Sequence, residues 1–203
     1  DEIGAKLESS KKFMKEFCKS YDIPTAKSET FTNFNDAKNY LDLHDGPIVV
    51  KYDGLAAGKG VFVCDNKHEA IDACEKIFVQ KFFNHHENTV IIEECLKGKE
   101  LSYFTITDGK DYLNFESAQD YKRIGEGDTG PNTGGMGTVS PAPILDEQLE
   151  DKINNQIVKK TIDGLQKEKI SFQGVIFFGI MVDNLNQPYL LEYNTRFGDP
   201  EIQ

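Results

Sequence analysis

Residues 51–60 read Lys-Tyr-Asp-Gly-Leu-Ala-Ala-Gly-Lys-Gly, and a short β-rich run lies on each side of them. The runs 47–52 and 60–64 favour two strands joined by a glycine-bearing loop. Small residues let backbone amides approach a phosphate closely, while Lys51 and Lys59 supply neutralising charge. The segment therefore predicts a phosphate-binding hairpin, although a flexible hairpin tip without a ligand explains the same residues.

Two common nucleotide-binding motifs are excluded. A P-loop has four residues between its first glycine and Gly-Lys and then opens a helix, whereas only three residues separate Gly54 from Gly58 and a strand follows. The stretch Gly125-Glu-Gly-Asp-Thr-Gly130 matches the dinucleotide fingerprint formally, but a helix cannot begin cleanly across Pro131 and the glycines that follow it. A phosphate-binding hairpin at residues 51–60 would therefore be of neither type.

Outward from the hairpin, the apolar pattern predicts helices at 6–20, 67–80 and 149–165. Strand-forming runs lie at 89–94, 101–107, 112–115, 174–182 and 188–193, and residues 125–137 read as a glycine-rich loop. Helices alternating with antiparallel hairpins predict an α+β fold of two lobes. We expect residues 1–95 to form the first lobe and residues 96–203 the second.

Two acidic segments are candidate nucleotide contacts. Residues 92–100, Ile-Glu-Glu-Cys-Leu-Lys-Gly-Lys-Glu, place a strand end, a turn and a carboxylate within reach of one nucleoside, although solvated surface acids would look the same. Glu192 and Asn194 are two apart on a predicted strand, so their side chains share one face. Their oxygens suit Mg²⁺ held jointly with nucleotide phosphates, and a structural hydrogen-bonded pair is the alternative.

Composition limits the classes of partner. The 203 residues carry a formal net charge of -11, which argues against a general nucleic-acid surface. Residues 1–19 lack the pattern of a secretory signal and no apolar run reaches membrane-spanning length, so a cytoplasmic location is expected by default. The four cysteines are scattered without metal-ligand spacing, which favours reduced, buried thiols.

The order of these elements resembles the ATP-grasp superfamily. The lysine-bearing hairpin, Glu-Glu-x-Leu at 93–96, Glu100 and the closing Glu-x-Asn occur in sequence. Longer stretches look like the phosphoribosylamine-glycine ligase family, namely residues 51–60, Gln119-Asp-Tyr-Lys-Arg123, Asp128-Thr-Gly-Pro-Asn-Thr-Gly-Gly-Met-Gly137 and Arg196-Phe-Gly-Asp-Pro-Glu-Ile-Gln203. The resemblance spans essentially the whole chain.

The resemblance implies an ATP-grasp fold, in which two α+β lobes enclose a nucleotide cleft. It also implies ligation of glycine to 5-phosphoribosylamine through glycyl phosphate, giving glycinamide ribonucleotide, ADP and phosphate in de novo purine biosynthesis. ATP is then the cosubstrate, with Mg²⁺ or Mn²⁺ as the metal.

The resemblance also assigns site residues. The implied nucleotide contacts are Lys51, Gly58, Lys59, Gly60, Glu93, Glu94, Leu96, Glu100 and Asn194, and the implied metal ligands are Glu192 and Asn194. The implied contacts to glycine and the amine are Asp120, Lys122, Arg123, Asn132, Thr133, Gly134 and Arg196. Catalysis is assigned to Arg196, Lys59 and Asp199, the last holding Arg196 by a charge-assisted hydrogen bond.

Two departures from the family limit these assignments. Many ATP-grasp enzymes place another metal-binding acid before Glu-x-Asn, but Phe178-Gly-Ile-Met-Val has none, so the number of metal ions is open. The family also carries amino- and carboxy-terminal lobes that this sequence lacks, so we expect the ATP-binding core alone. The alternatives are another ATP-grasp carboxylate-amine ligase, which Arg196-Phe-Gly-Asp-Pro-Glu disfavours, and a non-catalytic nucleotide-binding module, which intact Lys59, Glu192 and Asn194 disfavour.

Overall fold

The computed structural model describes residues 2–54, 56, 59–83, 88–127 and 129–203, with the backbone alone at 131, 132 and 134. Two units are distinguished. Glu8–Glu16 and Ala26–Leu96 form the amino-terminal unit, and Asp1–Leu7, Phe17–Thr25 and Lys97–Gln203 form the carboxy-terminal unit. The functional lobes expected at 1–95 and 96–203 stay a prediction. Within the described residues, no helix is long and apolar enough to cross a membrane.

The chain alternates short helices with antiparallel strands. Helices α1 to α6 span Glu2–Ser9, Lys11–Ser20, Phe34–Asp42, Lys67–Phe78, Glu147–Ile153 and Lys159–Lys167, and a π-helical turn at Asn154–Val158 joins the last two. Strands β1 to β10 span Ser28–Phe31, Ile48–Tyr52, Val61–Cys64, Val90–Glu94, Lys99–Thr107, Tyr112–Asn114, Gln119–Gly125, Thr129–Val139, Gly174–Val182 and Pro188–Asn194. The sheet orders are β1-β4-β2-β3 and β10-β9-β5-β6, and β7 and β8 form a separate ribbon.

The amino-terminal sheet packs one face against α3 and α4. Ile48 and Val50 alternate along β2 into this core, together with Ile92 of β4. Because side chains alternate between faces, Lys51 and Glu93 point to the opposite face. The register pairs Lys51 with Ile91, and Val49 with Glu93, so the lysine and the glutamate are diagonal neighbours on that face.

The carboxy-terminal sheet also has two different faces. Tyr103, Phe178 and Tyr193 lie in one row across β5, β9 and β10 and are fully buried. The Tyr193 and Thr161 hydroxyls lie 2.7 Å apart, which places this face against α6. The adjacent row, Ser102 with Gly179 and Glu192, faces the other way.

A β-bulge in β10 decides where Glu192 points. The register shifts between Leu190 and Glu192, so Leu190 and Tyr193 are both buried although they are three residues apart. Regular alternation from Leu190 would have turned Glu192 toward the helices. The bulge instead leaves Glu192 exposed, on the opposite face.

Most predicted elements are confirmed, and three predictions were wrong. The expected helix at 6–20 is two helices, because Ser10 accepts a hydrogen bond from Phe13 N at 3.1 Å and caps α2. The expected loop at 125–137 contains most of β8, which pairs with β7. Residues 120–123, also expected as a loop, lie in β7. Strand β1 and helix α3 had no predicted counterpart, and the π-helical turn interrupts the helix expected at 149–165.

Candidate functional site

The amino-terminal unit buries three charged side chains together. Glu93 Oε2 lies 2.9 Å from Lys51 Nζ, and Glu93 Oε1 lies 3.1 Å from Lys15 Nζ. The exposed fractions are 7% for both lysines and 2% for Glu93. We call these residues the lysine–glutamate triad. Lys51 and Glu93 were predicted as site residues, whereas Lys15 was missed, because nothing in the helical pattern around it indicates which residue its ammonium meets.

Helix α2 is tied to the first residues of the predicted phosphate loop. Asp53 accepts hydrogen bonds from Ser10 Oγ at 3.3 Å and from Lys12 N at 3.1 Å, and Lys11 Nζ donates to Gly54 O at 3.2 Å. Gly54 has φ +148°, and a Cβ there would lie 2.7 Å from the Tyr52 ring. A glycine is therefore required at the point where the hairpin leaves β2.

The other predicted residues of this unit are more exposed. Lys59 is exposed, and its backbone N donates to Ala56 O at 2.9 Å. Gly60 O accepts from Tyr52 N at 2.8 Å and so closes the hairpin. Glu94 is exposed and accepts a hydrogen bond from Lys27 N at 2.8 Å. Leu96 is half-buried, and Gly58 lies outside the described residues.

In the carboxy-terminal unit, the predicted metal ligands are connected to a predicted catalytic residue. Asn194 Nδ2 donates to Glu192 Oε1 at 3.3 Å, and Arg196 Nη2 donates to Asn194 Oδ1 at 3.0 Å. Asn194 is buried, at 6% exposure. Gly179 lies beside this pair, and a Cβ there would be 3.2 Å from Glu192 Cγ. The absence of a side chain at Gly179 leaves the space in which Glu192 lies.

The ribbon places a lysine over the same face of the sheet. The ribbon joins β5 where Ser102 and Ala118 exchange backbone hydrogen bonds of 2.8 and 2.9 Å. Lys122 Nζ in β7 then lies 3.1 Å from Glu100 Oε2. Burial would lower the pKa of Lys122, but the carboxylates of Glu100, Glu192 and Asp120 outweigh that effect and raise it.

Two further carboxylates lie near Lys122. Burial raises the pKa of Asp120, Glu201 and Glu100 raise it further, and Lys122 opposes them. Asp120 Oδ1 and Glu201 Oε2 are buried oxygens without a hydrogen-bond partner among the described residues. Glu201 was not singled out as a site residue, although it lies within the quoted stretch at 196–203. We call Glu100, Asp120, Lys122, Glu192, Asn194, Arg196 and Glu201 the acidic face.

The remaining predicted residues lie in the ribbon and near the end of the chain. Thr133 Oγ1 donates to Lys122 O at 2.7 Å, which supports the ribbon, and Arg123 is exposed. Asn132 and Gly134 lie in β8, where the structure describes their backbone alone. Asp199 Oδ1 accepts from Gln203 Nε2 at 2.6 Å, so its pairing with Arg196 stays a prediction.

The oxygen atoms of Glu192 and Asn194 fit a divalent metal shared with a ligand. Among the described residues, no group of three or more His, Cys, Asp or Glu side chains could hold a metal ion. Mg²⁺ does not need such a group, because it is commonly bound by one or two protein oxygens together with substrate phosphates and water. The triad suits a polyphosphate, because two ammonium groups share one carboxylate there.

The two antiparallel sheets with their helices are those of the ATP-grasp class of ligases. D-alanine–D-alanine ligase from Bacillus anthracis complexed with ATP has a TM-score of 0.62 and 22% identity, and the match covers 92% of this chain and 55% of that one. At this identity the similarity shows the fold alone. It confirms the predicted α+β ATP-grasp fold.

The chain belongs to the phosphoribosylglycinamide synthetase ATP-grasp (A) domain family, which matches residues 9–202. A relative from Arabidopsis thaliana, chloroplastic phosphoribosylamine–glycine ligase, is 48% identical over 98% of this chain and 38% of its own length. The crystal structure of phosphoribosylamine–glycine ligase from Thermotoga maritima has a TM-score of 0.88 and 37% identity, covering 97% of this chain and 49% of that one.

The chain is shorter than its relatives. It spans between 20% and 48% of the length of the curated relatives compared with it. The comparisons therefore show the family of this chain.

Proposed function

We propose that this chain is the ATP-binding part of a ligase that joins glycine to 5-phosphoribosylamine. The observation that carries the proposal is the 48% identity, over 98% of the chain, to a relative named for that reaction. Neighbours with other acceptors are matched at 22% identity or less among the solved structures compared, so none favours a different reaction.

The proposed reaction begins with two anions. The glycine carboxylate attacks the γ-phosphate of ATP, which gives glycyl phosphate and ADP. The amine of phosphoribosylamine then attacks the acyl carbon, phosphate leaves, and the amine loses a proton as glycinamide ribonucleotide forms. In the first step the oxygens of the glycine carboxylate approach those of the γ-phosphate, so positive charge is needed around them. We assign that role to Lys51, Lys59 and Arg196.

Glu192 and Asn194 would hold the metal, Mg²⁺ or Mn²⁺. When bound, a divalent ion supplies charge stabilisation to the phosphoryl oxygens. The contact from Arg196 to Asn194 Oδ1 keeps the guanidinium beside this pair, where it can also meet the glycine carboxylate. Gly179 keeps room for the Glu192 side chain.

We assign nucleoside contacts to Glu93, Glu94, Leu96 and Glu100. At Glu93 the contact is through the backbone, because its carboxylate is held by Lys15 and Lys51. Contacts to glycine and the amine are assigned to Asp120, Lys122, Arg123, Asn132, Thr133 and Gly134, and Asp199 would align Arg196. A cytoplasmic location stays a prediction.

The proposal is tested in two stages. Titration calorimetry of the chain with MgATP, and with MgGTP as the control, should show binding that prefers ATP. The longer protein that contains this chain should then release ADP only with glycine, and should incorporate labelled glycine into a ribonucleotide only when phosphoribosylamine is added. Failure to bind ATP, or ADP release at the same rate with and without glycine, would contradict the proposal.

A further inference from the structure

The lysine–glutamate triad contains one more lysine than its carboxylate requires. Each Glu93 oxygen lies near a different ammonium group, Oε2 near Lys51 and Oε1 near Lys15. The formal charge of these three groups is therefore positive. A single lysine would already have neutralised the buried carboxylate, and burying a second ammonium has a desolvation cost.

The position of Lys15 is set by other contacts as well as by Glu93. Lys15 Nζ donates to the backbone oxygen of Ala26 at 2.9 Å, which fixes the ammonium independently of the ion pair. Glu93 Oε1 receives no hydrogen bond from it, so their attraction at 3.1 Å is coulombic rather than directional. The hydrogen bond to Ala26 O and the attraction to Glu93 therefore hold the Lys15 ammonium together.

Because Lys15 and Lys51 share the Glu93 carboxylate, the net charge of the group around Lys51 is changed. If Glu93 had Lys51 as its one cation, the pair would be neutral and would attract a phosphate weakly. Because Lys15 lies at the other oxygen, the group around Lys51 keeps a positive potential. Interactions between charges are strong in a buried environment of low effective dielectric constant, so this difference acts on any anion near Lys51.

We propose that Lys15 is a positioning residue of the nucleotide site, which occupies one oxygen of Glu93 and thereby leaves the charge of Lys51 available to a polyphosphate. The inference rests on the proposed function, since it supposes that ATP binds at Lys51. It adds a residue that was not among the expected contacts and gives the buried Glu93 carboxylate a role in setting charge.

The test compares Lys15→Met, Lys15→Arg and the double variant Lys15→Met/Glu93→Gln. The matched control is Lys38→Met, which removes a partly exposed lysine, paired with Asp42 at 2.9 Å, from α3 of the same unit. ATP and adenosine are titrated into each folded chain, and thermal unfolding is recorded so that loss of fold is separated from loss of charge.

Lys15→Met should weaken ATP binding roughly tenfold, the scale of one charge interaction at several ångströms. Adenosine affinity should stay within about twofold, because adenosine carries no phosphate. Lys15→Arg and the double variant should return ATP affinity to within about threefold of the unaltered chain, because each restores the net positive charge. Lys38→Met should change neither affinity.

Equal weakening of ATP and adenosine by Lys15→Met, or a double variant no better than Lys15→Met, would overturn the inference and leave Lys15 a structural residue. If Lys15→Met does not fold, the Lys15→Arg and double variants still decide between the two. Absence of ATP binding to the unaltered chain would instead contradict the proposed function, so the two failures are distinguishable.

Discussion

The lysine–glutamate triad and the acidic face have opposite charge balances. In the triad two ammonium groups, Lys15 and Lys51, meet one carboxylate. On the acidic face the carboxylates of Glu100, Asp120 and Glu192 all act on Lys122 and raise its pKa. The first arrangement favours an anion and the second a cation.

The two regions are nevertheless built in the same way. One is the sheet face opposite α3 and α4, the other is the sheet face opposite α6, and each receives a charged side chain from outside the sheet. Lys15 comes from α2 in one case and Lys122 from the ribbon in the other. In both regions the sheet provides the surface on which charged side chains lie. The element that adds a side chain to it, α2 or the ribbon, determines how the charges are paired.

The largest expected effect is that of Lys51→Met. Loss of the ammonium that we assign to the phosphates should weaken ATP binding about 100-fold, with or without metal, since a charge-assisted contact is worth roughly 1.5–3 kcal/mol. Calorimetry with ATP in Mg²⁺ and in EDTA measures it. Lys67→Met, which removes a half-buried lysine whose Nζ lies 3.5 Å from Asp45 Oδ1, is the control. Unchanged affinity would show that the triad is not the phosphate site.

Glu192→Ala should have an effect that depends on the metal. We expect MgATP binding to weaken about 30-fold, as for loss of a metal ligand, while ATP affinity in EDTA changes by less than about twofold. Glu116→Ala removes an exposed carboxylate from the same unit and should leave both values unchanged. Equal losses in Mg²⁺ and EDTA would remove the metal assignment and favour the hydrogen-bonded pair with Asn194.

A smaller effect is expected from Gly179→Ala. The new Cβ would lie 3.2 Å from Glu192 Cγ, so the Glu192 side chain must shift by a few tenths of an ångström. MgATP affinity should fall about threefold, since metal ligands tolerate little displacement, with stability nearly unchanged. Gly137→Ala, where a Cβ has no neighbour within 4 Å, is the matched control. A loss for both variants would indicate a general effect of removing glycine.

The smallest effect concerns stability and pH. The pKa of Asp120 is raised by burial and by Glu201 and Glu100, so the folded chain binds this proton more tightly than the unfolded chain. Asp120 therefore destabilises the fold above its folded pKa, and that penalty disappears as pH falls through this value toward 3.8.

Asp120→Asn should raise the unfolding free energy at pH 7 by about 0.5 kcal/mol, because the group is partly exposed. Urea unfolding at pH 7 and at pH 4 measures the change, and the gain should be smaller at pH 4. A gain that is equal at both values would show that Asp120 is not destabilised by its charge.

Part of the fold could be predicted because its causes are local. The β2–β3 hairpin, α4 and the strands at 101–107 and 188–193 follow from side-chain period and turn residues, and the structure confirms them. The strand β8 was predicted as a loop because its glycines have little strand propensity, and pairing with β7 overrides that preference. The interruption between α1 and α2 at Ser10 was not predicted, because the helical spacing of apolar residues continues across it.

The sequence by itself determined the family and the spacing that puts Glu192 and Asn194 on one strand face, since both depend on order and period along the chain. Only the tertiary structure decided that Lys15 shares Glu93, that Lys122 meets Glu100 and that a bulge turns Glu192 away from the helices. These depend on contacts between residues distant in sequence, or on a register shift, and a local pattern carries no information about either.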